Sequence, residues 1–362
     1  MTILPYAQEA FRILKRNLYV RKKGFKKYSG SAEEICRKIT EDCWNGKYFQ
    51  VSTGHFQEFF IRDFGWCVDS LLKLGYKEEV IMTLKYALKI YSEQGLKTTI
   101  SPSGKAFDIF TYSPDSLAYL IRSLRAAKAY NLIKVYKKFI EIETKKFYSK
   151  VIDKKTGLVK KNVYFSSMRD QAKRRSSCYD NIMAAMLSDE LNKLKLYNPM
   201  KKIDFKKLIK ENFWTGKYFL DDVSGSKVIT GDSNTIPFWT GVFEDRKMLR
   251  SAVNEIQKQK LDMPFPLKYC ASKKSSDKMI FMEKFIAGYE RNTCWLHIGP
   301  IYVQIVKKIN PKKAREYKLR YKRIIERYKN FIEVFNADSK PYSCKWYYAD
   351  EGMLWAANYL IL

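Results

Sequence analysis

The apolar residues between Gly54 and Gly75 recur at helical spacing. Phe56, Phe59, Phe60, Phe64, Val68, Leu71 and Leu72 stand roughly three or four apart, which predicts a helix with one packed face. The same periodicity predicts helices over 6–17, 77–94, 115–130, 132–148, 178–196, 200–212, 289–309 and 311–331, with another in the FWTGVFEDRKMLRSAVNEIQKQ segment. Ser31 followed by Glu34 is a capping box and opens a further helix that runs to about residue 43. Turn-rich pieces separate these segments: TISPSGKAFD, DKKTGLVKK, and the irregular, basic NVYFSSMRDQAKRRSS. Strand-like alternation is scarce.

Two short stretches repeat. WNGKYF begins at Trp44 and WTGKYF at Trp214, identical at five of six positions, each directly after a predicted helix. Repetition of a motif at the same place in a hairpin points to repeated helix-pair units. No linker rich in Pro, Gly or Ser divides the chain. The expectation is one all-α domain over 1–362, a ring of helical hairpins whose inner helices are buried on all sides and whose loops surround a funnel.

Composition adds three constraints. Of 362 residues, 46% are hydrophobic, enough for a large core, and the 26 tyrosines give polar-tipped rings suited to a carbohydrate-lined cleft. The net charge of +30 favours polyanions, but the lysines are scattered over every helix rather than gathered in one arm, and no nucleic-acid-binding motif accompanies them. Nucleic acid is therefore not the expected partner. Cys36, Cys43, Cys67, Cys178, Cys270, Cys294 and Cys344 include no CxxC pair, so they read as reduced thiols of a cytoplasmic protein rather than as zinc ligands. No apolar run of about 18 residues exists to span a membrane. Neither GxGxxG nor GxxxxGK[ST] is present, and no cofactor is expected.

The polar chemistry gathers at predicted helix starts and loops: FFIRDFGW around Asp63, SSCYDN around Asp180, GDSNTIPFW around Asp232, YERNTCWLHIGP around Glu290, NFIEVFNADSKPYS around Glu333, and ADEG at Glu351. With only His55 and His297, a Ser/His/Asp set finds no support. Paired carboxylates across a cleft meet the requirement of glycosidic cleavage. Asp180 and Asp232 equally suit plain helix caps.

In order and spacing these blocks resemble the six-hairpin, (α/α)6-barrel glycosidases, the group of alkaline/neutral invertases, mannosylglycerate hydrolase and processing glucosidases. FFIRDFGWCVDSLLKLG is similar to the block whose Arg-Asp opens a helix and supplies the catalytic acid. NFIEVFNADSKPYSCKWYYADEGMLWAANYL resembles the closing block that supplies the base. YERNTCWLHIGP is similar to a third, with Ile298 where the pattern has Arg. The resemblance implies an inverting glycoside hydrolase acting on an α-linked, glucosyl-type substrate, with Asp63 as acid, Glu333 as base and Glu351 as the rival base. It also implies Trp66, Tyr179, Trp239 and Trp295 as stacking platforms, and Arg62, Asp180, Asp232, Asn234 and Arg291 as contacts to hydroxyls. Burial against Phe60 and Trp66 is expected to keep Asp63 protonated while Glu333 stays ionised. A non-catalytic carbohydrate-binding relative and a polyanion-binding protein are the alternatives.

Overall fold

The computed structural model describes residues 4–272 and 278–362, the side chains of Leu4 and Pro5 aside. A leading helix, α1 (Leu4–Lys23), precedes six hairpins. The first two pair α2 (Ala32–Asp42) with α3 (Ile61–Lys73), and α4 (Lys77–Gln94) with α5 (Asp115–Ala126). A short α6 (Tyr130–Val135) leads into α7 (Lys137–Val151), which pairs with α8 (Cys178–Lys193). The remaining pairs are α9 (Phe205–Phe213) with α10 (Ile236–Trp239), α11 (Arg246–Lys258) with α12 (Ile298–Lys307), and α13 (Pro311–Tyr328) with α14 (Ala356–Leu360). The second members pack in a closed ring, α3 on α5, α5 on α8, α8 on α10, α10 on α12, α12 on α14 and α14 back on α3. This is the expected (α/α)6 toroid.

Burial separates the two rings. In α8 nearly every residue from Cys178 to Leu191 is buried, as a helix enclosed on all sides requires. In α13 only Ala314, Tyr317, Tyr321, Ile324 and Ile325 are buried, one stripe at helical spacing, and lysines and arginines cover the rest. Among the described residues strands are confined to two-residue pieces: β1 (Phe59–Phe60), β2 (Thr99–Ile100) and β3 (Ala106–Phe107) form one antiparallel sheet, and β4 (Cys294–Trp295) pairs with β5 (Val334–Phe335).

The repeated hexapeptide is a repeated turn. Trp44 bridges Phe49 and Trp214 bridges Phe219 in matching antiparallel pairs. Gly46 and Gly216 both take a left-handed conformation, φ +84° and +92°. Asn45 Oδ1 accepts the backbone N–H groups of Lys47 and Tyr48, and Thr215 Oγ1 does the same for Lys217 and Tyr218. The repeat therefore encodes the same corner of the ring, between an outer helix and the loop to its inner partner.

Among the predicted helices that fall short of their periodicity, two lose their first turns to tertiary contacts. The 54–75 segment becomes helical only at Ile61, because Asp350 accepts the N–H groups of His55 and Phe56 and holds the preceding loop against the chain's end. The 289–309 segment is helical only from Ile298. Its first part is drawn into β4 and into backbone bonds with Leu267 and Glu333. In both, tertiary partners take backbone groups that a helix would use.

α3 and α5 approach closely at Gly65. A Cβ built there lies 2.6 Å from Tyr119. Gly65→Ala should therefore cost about 1–3 kcal/mol by overpacking, despite alanine's better helix propensity. Chemical denaturation would check this; an alanine variant as stable as the parent would mean that the two helices are not held at this distance.

Candidate active site

The ring encloses a cavity of about 640 Å³ reached by the N-terminal ends of the inner helices. Asp63 lies in the first turn of α3, His297 just before α12 and Trp355 just before α14. These positions aim partial positive charge into the cavity, which suits the acids gathered there.

The walls are aromatic. Trp66 stacks on His297 with ring centroids 4.6 Å apart, and its Nε1–H donates to Tyr119 at 2.7 Å. Trp295 packs against Tyr289 and donates Nε1–H to the Tyr289 carbonyl at 3.0 Å. His297 Nε2 lies 2.9 Å from the Tyr269 hydroxyl. Burial, aided by Arg62, lowers the His297 pKa far below its usual value, so the ring is a neutral aromatic surface and not an acid.

Asp63 is buried, with Oδ1 accepting the Trp355 Nε1–H at 3.0 Å. Burial raises its pKa to about 7, against the opposing pull of Arg62 and Trp355. Glu333 is buried and receives three donors: the Tyr289 hydroxyl on Oε1, and the Tyr347 hydroxyl (2.6 Å) and Asp350 N–H (2.8 Å) on Oε2. Those bonds favour the charged form, yet burial outweighs them and the pKa rises to about 7. The expectation that Glu333 is simply ionised is thus corrected: both carboxyls titrate near neutrality. Behind Glu333, Tyr347 also meets His55 Nε2 at 3.3 Å, and His55 Nδ1 lies 3.2 Å from Asp350.

Besides Glu9 of α1, two further acids line the cavity that sequence reasoning left out of the site. Asp170 sits in the loop before α8, where Arg62 Nη1 donates to both its oxygens at 3.0 and 3.1 Å and Ser166 Oγ to one at 2.9 Å. Glu290 accepts the backbone N–H groups of Asp170 and Gln171 at 2.9 and 2.8 Å, and burial together with Asp170 raises its pKa. Gln171 is buried on the cavity wall, and its Oε1 has no hydrogen-bond partner among the described residues. The available signal was the dipeptide Arg169-Asp170, which repeats Arg62-Asp63, but its loop carries no periodic pattern that would mark it.

The cavity takes in Arg62, Asp63, Trp66, Trp295 and Glu333 from the residues singled out in the sequence. It does not take in the others. The Tyr179 hydroxyl donates to Asp115 at 2.9 Å, behind Arg62. Ser177 caps α8, and Asp180 in its first turn accepts from Ser167 and Ser177, while Asp232 pairs with Arg174 at 2.8 Å. Together they fasten the loop that carries Asp170. Asn234 is bonded to both backbone groups of Phe219 and stabilises the second hexapeptide turn. Trp239 lies under Arg122 and donates to Gln304, and Arg291 pairs with Glu283 at 2.8 Å. Glu351 accepts from Lys26 N–H and Asn330 and pairs with Arg16 of α1, so the rival base is a tether for the leading helix. In each case the side chain answers a structural demand, and for Tyr179, Asp232, Trp239 and Glu351 the partner lies far along the chain.

No protein-family model matches the sequence, and no curated protein sequence matches it. Solved structures do match in fold. A rhamnosidase from Klebsiella oxytoca with rhamnose bound superposes with a TM-score of 0.64 at 10% identity, over 92% of this chain and 63% of the rhamnosidase, so the chain spans less than two thirds of that protein. A GH63 mannosylglycerate hydrolase from Thermus thermophilus in complex with Tris superposes at 0.61 and 11% identity, over 91% of this chain and 99% of the other. A glycosidase variant in complex with glucose superposes at 0.64 and 10% identity, over 98% and 97% of the two chains. The chain has the helical-toroid fold of these glycosidases.

The raised pKa of Asp63 has a consequence for stability. Its folded value near 7 lies above the usual 3.8, so folding favours the protonated form; that contribution is complete below about pH 4 and is lost as pH rises through 7. Asp63→Asn should therefore be about 1–4 kcal/mol more stable than the parent at pH 8, with the two converging near pH 4. Thermal melts across that range would test it, and identical curves at pH 8 would show that Asp63 is not a desolvated carboxyl.

Proposed function

We propose that the chain is an inverting glycoside hydrolase for an α-linked, glucosyl-type substrate, with Asp63 as general acid and Glu333 as general base. The observation that carries this reading is the pair of buried carboxyls on one aromatic-walled cavity, both titrating near pH 7 but in opposite hydrogen-bond surroundings. Three donors on Glu333 direct the negative charge there, and a single donor on Asp63 leaves it the proton. Asp63 then protonates the glycosidic oxygen as the bond to the anomeric carbon breaks. Glu333 removes a proton from the water attacking the opposite face, and the product has the inverted configuration. The rhamnose and glucose held by neighbours of this fold support a sugar ligand. Trp66 and Trp295 supply flat faces for the ring, and Gln171 Oε1 supplies an acceptor for a hydroxyl.

A second reading gives the acid's role to Asp170. Its carboxyl also lines the cavity, is less buried than that of Asp63 or Glu333, and is oriented by Arg62 and Ser166, while Glu290 holds its backbone N–H. An activated leaving group separates the two, because a glycosyl fluoride departs without a proton donor. Asp63→Asn should lose about 100-fold or more on unactivated glycosides and keep most of its activity on the fluoride, whereas Glu333→Gln should lose both. If Asp170→Asn shows the rescued pattern and Asp63→Asn loses both, the acid is Asp170. Proton NMR of the first product tests inversion: an α-linked substrate should release the β-anomer, and release of the α-anomer would refute the mechanism. Gln171→Leu should raise KM about tenfold with kcat little changed, since it removes one ground-state contact; an unchanged KM would remove Gln171 from the site.

A further inference from the structure

The mouth of the cavity differs from its floor. Six side chains on its wall are substantially exposed: Tyr6 and Leu14 from α1, Phe110 from the loop before α5, Met282 and Phe285 from the segment after the fifth outer helix, and Trp346 near the C-terminus, at 37–45% exposure. They come from four separate parts of the chain and converge on one opening. A contiguous apolar surface exposed in this way marks a binding face.

One of the six is held there against a local preference. Phe110 has φ +59°, a left-handed conformation that bulky side chains rarely adopt. Strain of this kind persists only where the surroundings over-determine it, and it clusters at ligand clamps. α1 is likewise fixed in place. Arg12 pairs with Glu58, Arg16 pairs with Glu351, and Asn17 donates to the Lys345 carbonyl at 3.0 Å, beside Trp346.

The charge on the cavity wall disfavours an anionic leaving group, and its apolar mouth disfavours a second sugar. Among the described residues, Arg62 is the only lysine or arginine on the cavity wall, and it is occupied by Asp115 and Asp170. Glu9, Asp63, Asp170, Glu290 and Glu333 make the wall acidic, although the whole chain carries +30. A carboxylate or phosphate on the leaving group would meet these carboxylates, and among the described residues the wall offers it no unpaired lysine or arginine, Lys345 lying over the outer Trp346 ring. A second sugar would need polar partners at the mouth, where Glu9 stands among apolar side chains.

We propose that the mouth is an aglycone subsite for an uncharged apolar group, an alkyl chain or aromatic ring joined to the sugar bound deeper in the cavity. The proposal rests on the glycosidase reading for the orientation of the ligand, sugar inward and aglycone outward. Its physical content is separate: affinity should grow with the apolar surface buried at the mouth.

The test is calorimetric binding of methyl to hexyl glucosides, mannosides and rhamnosides to the Glu333→Gln protein, below micelle-forming concentrations, with hydrolysis by the parent followed by NMR. A phenyl glycoside of each sugar distinguishes a ring from a chain. Affinity should rise about threefold for each added methylene, near the limit for full burial. Trp346→Ser and Phe110→Ser should flatten that dependence while leaving methyl glycoside binding within about twofold. A flat series, a steep series insensitive to both variants, or tighter binding of a glyceric acid glycoside than of the length-matched alkyl glycoside would overturn the subsite. A steep, variant-sensitive series with no member hydrolysed would keep the subsite and refute the glycosidase reading; hydrolysis with a flat series would do the reverse.

Discussion

The buried guanidinium of Arg62 is the contact on which the floor of the cavity depends. Its Nε donates to Asp115 at the start of α5 at 2.6 Å, Nη1 to both oxygens of Asp170, and Nη2 to the Ser166 carbonyl at 3.0 Å. One side chain on α3 thus joins the neighbouring inner helix to the loop that enters α8. Removing a charge from water is costly unless geometry and hydrogen bonding compensate, and the planar, five-donor fork of arginine meets three acceptors at once where lysine could not. Without it, Asp115 and Asp170 would be uncompensated carboxylates in a confined space. Asp115 still has its pKa raised to about 6 by burial, with Arg62 and the Tyr179 hydroxyl opposing that rise.

The same competition between desolvation and partners sets the chemistry of the floor. Asp63, Glu290 and Glu333 all have raised pKa values, and burial is the leading cause in each. Their partners decide how far each rises and where a proton resides. The strongly basic exterior does not reverse this, because surface lysines act through solvent and salt while the acids interact across a short, poorly screened distance. Net charge was therefore a poor guide to the site: a chain of +30 encloses an acidic cavity. Apolar residues at the mouth and acids at the floor give the cavity two chemically distinct ends.

The sequence by itself determined the ring. Helical periodicity, the Ser31–Glu34 capping box and the repeated Trp-x-Gly-Lys-Tyr-Phe turn are local signals, written in residues close along the chain, and each appears in the structure. Through its resemblance to the six-hairpin glycosidases it also marked Arg62, Asp63, Trp66, Trp295 and Glu333, all of which line the cavity. Only the tertiary structure decided among the other polar residues. In sequence, a carboxylate that caps a helix, one that pairs with a distant arginine and one that faces a cavity are the same residue type in the same place. Asp180 and Asp232 became fasteners of a loop, Asn234 the support of a turn and Glu351 the anchor of α1, while Asp170 and Gln171, from a segment without periodicity, and Glu290, from a segment whose helical pattern was overridden, were brought to the wall. The physical reason is that access to the cavity is a property of how six hairpins close, and closure depends on contacts between residues far apart along the chain.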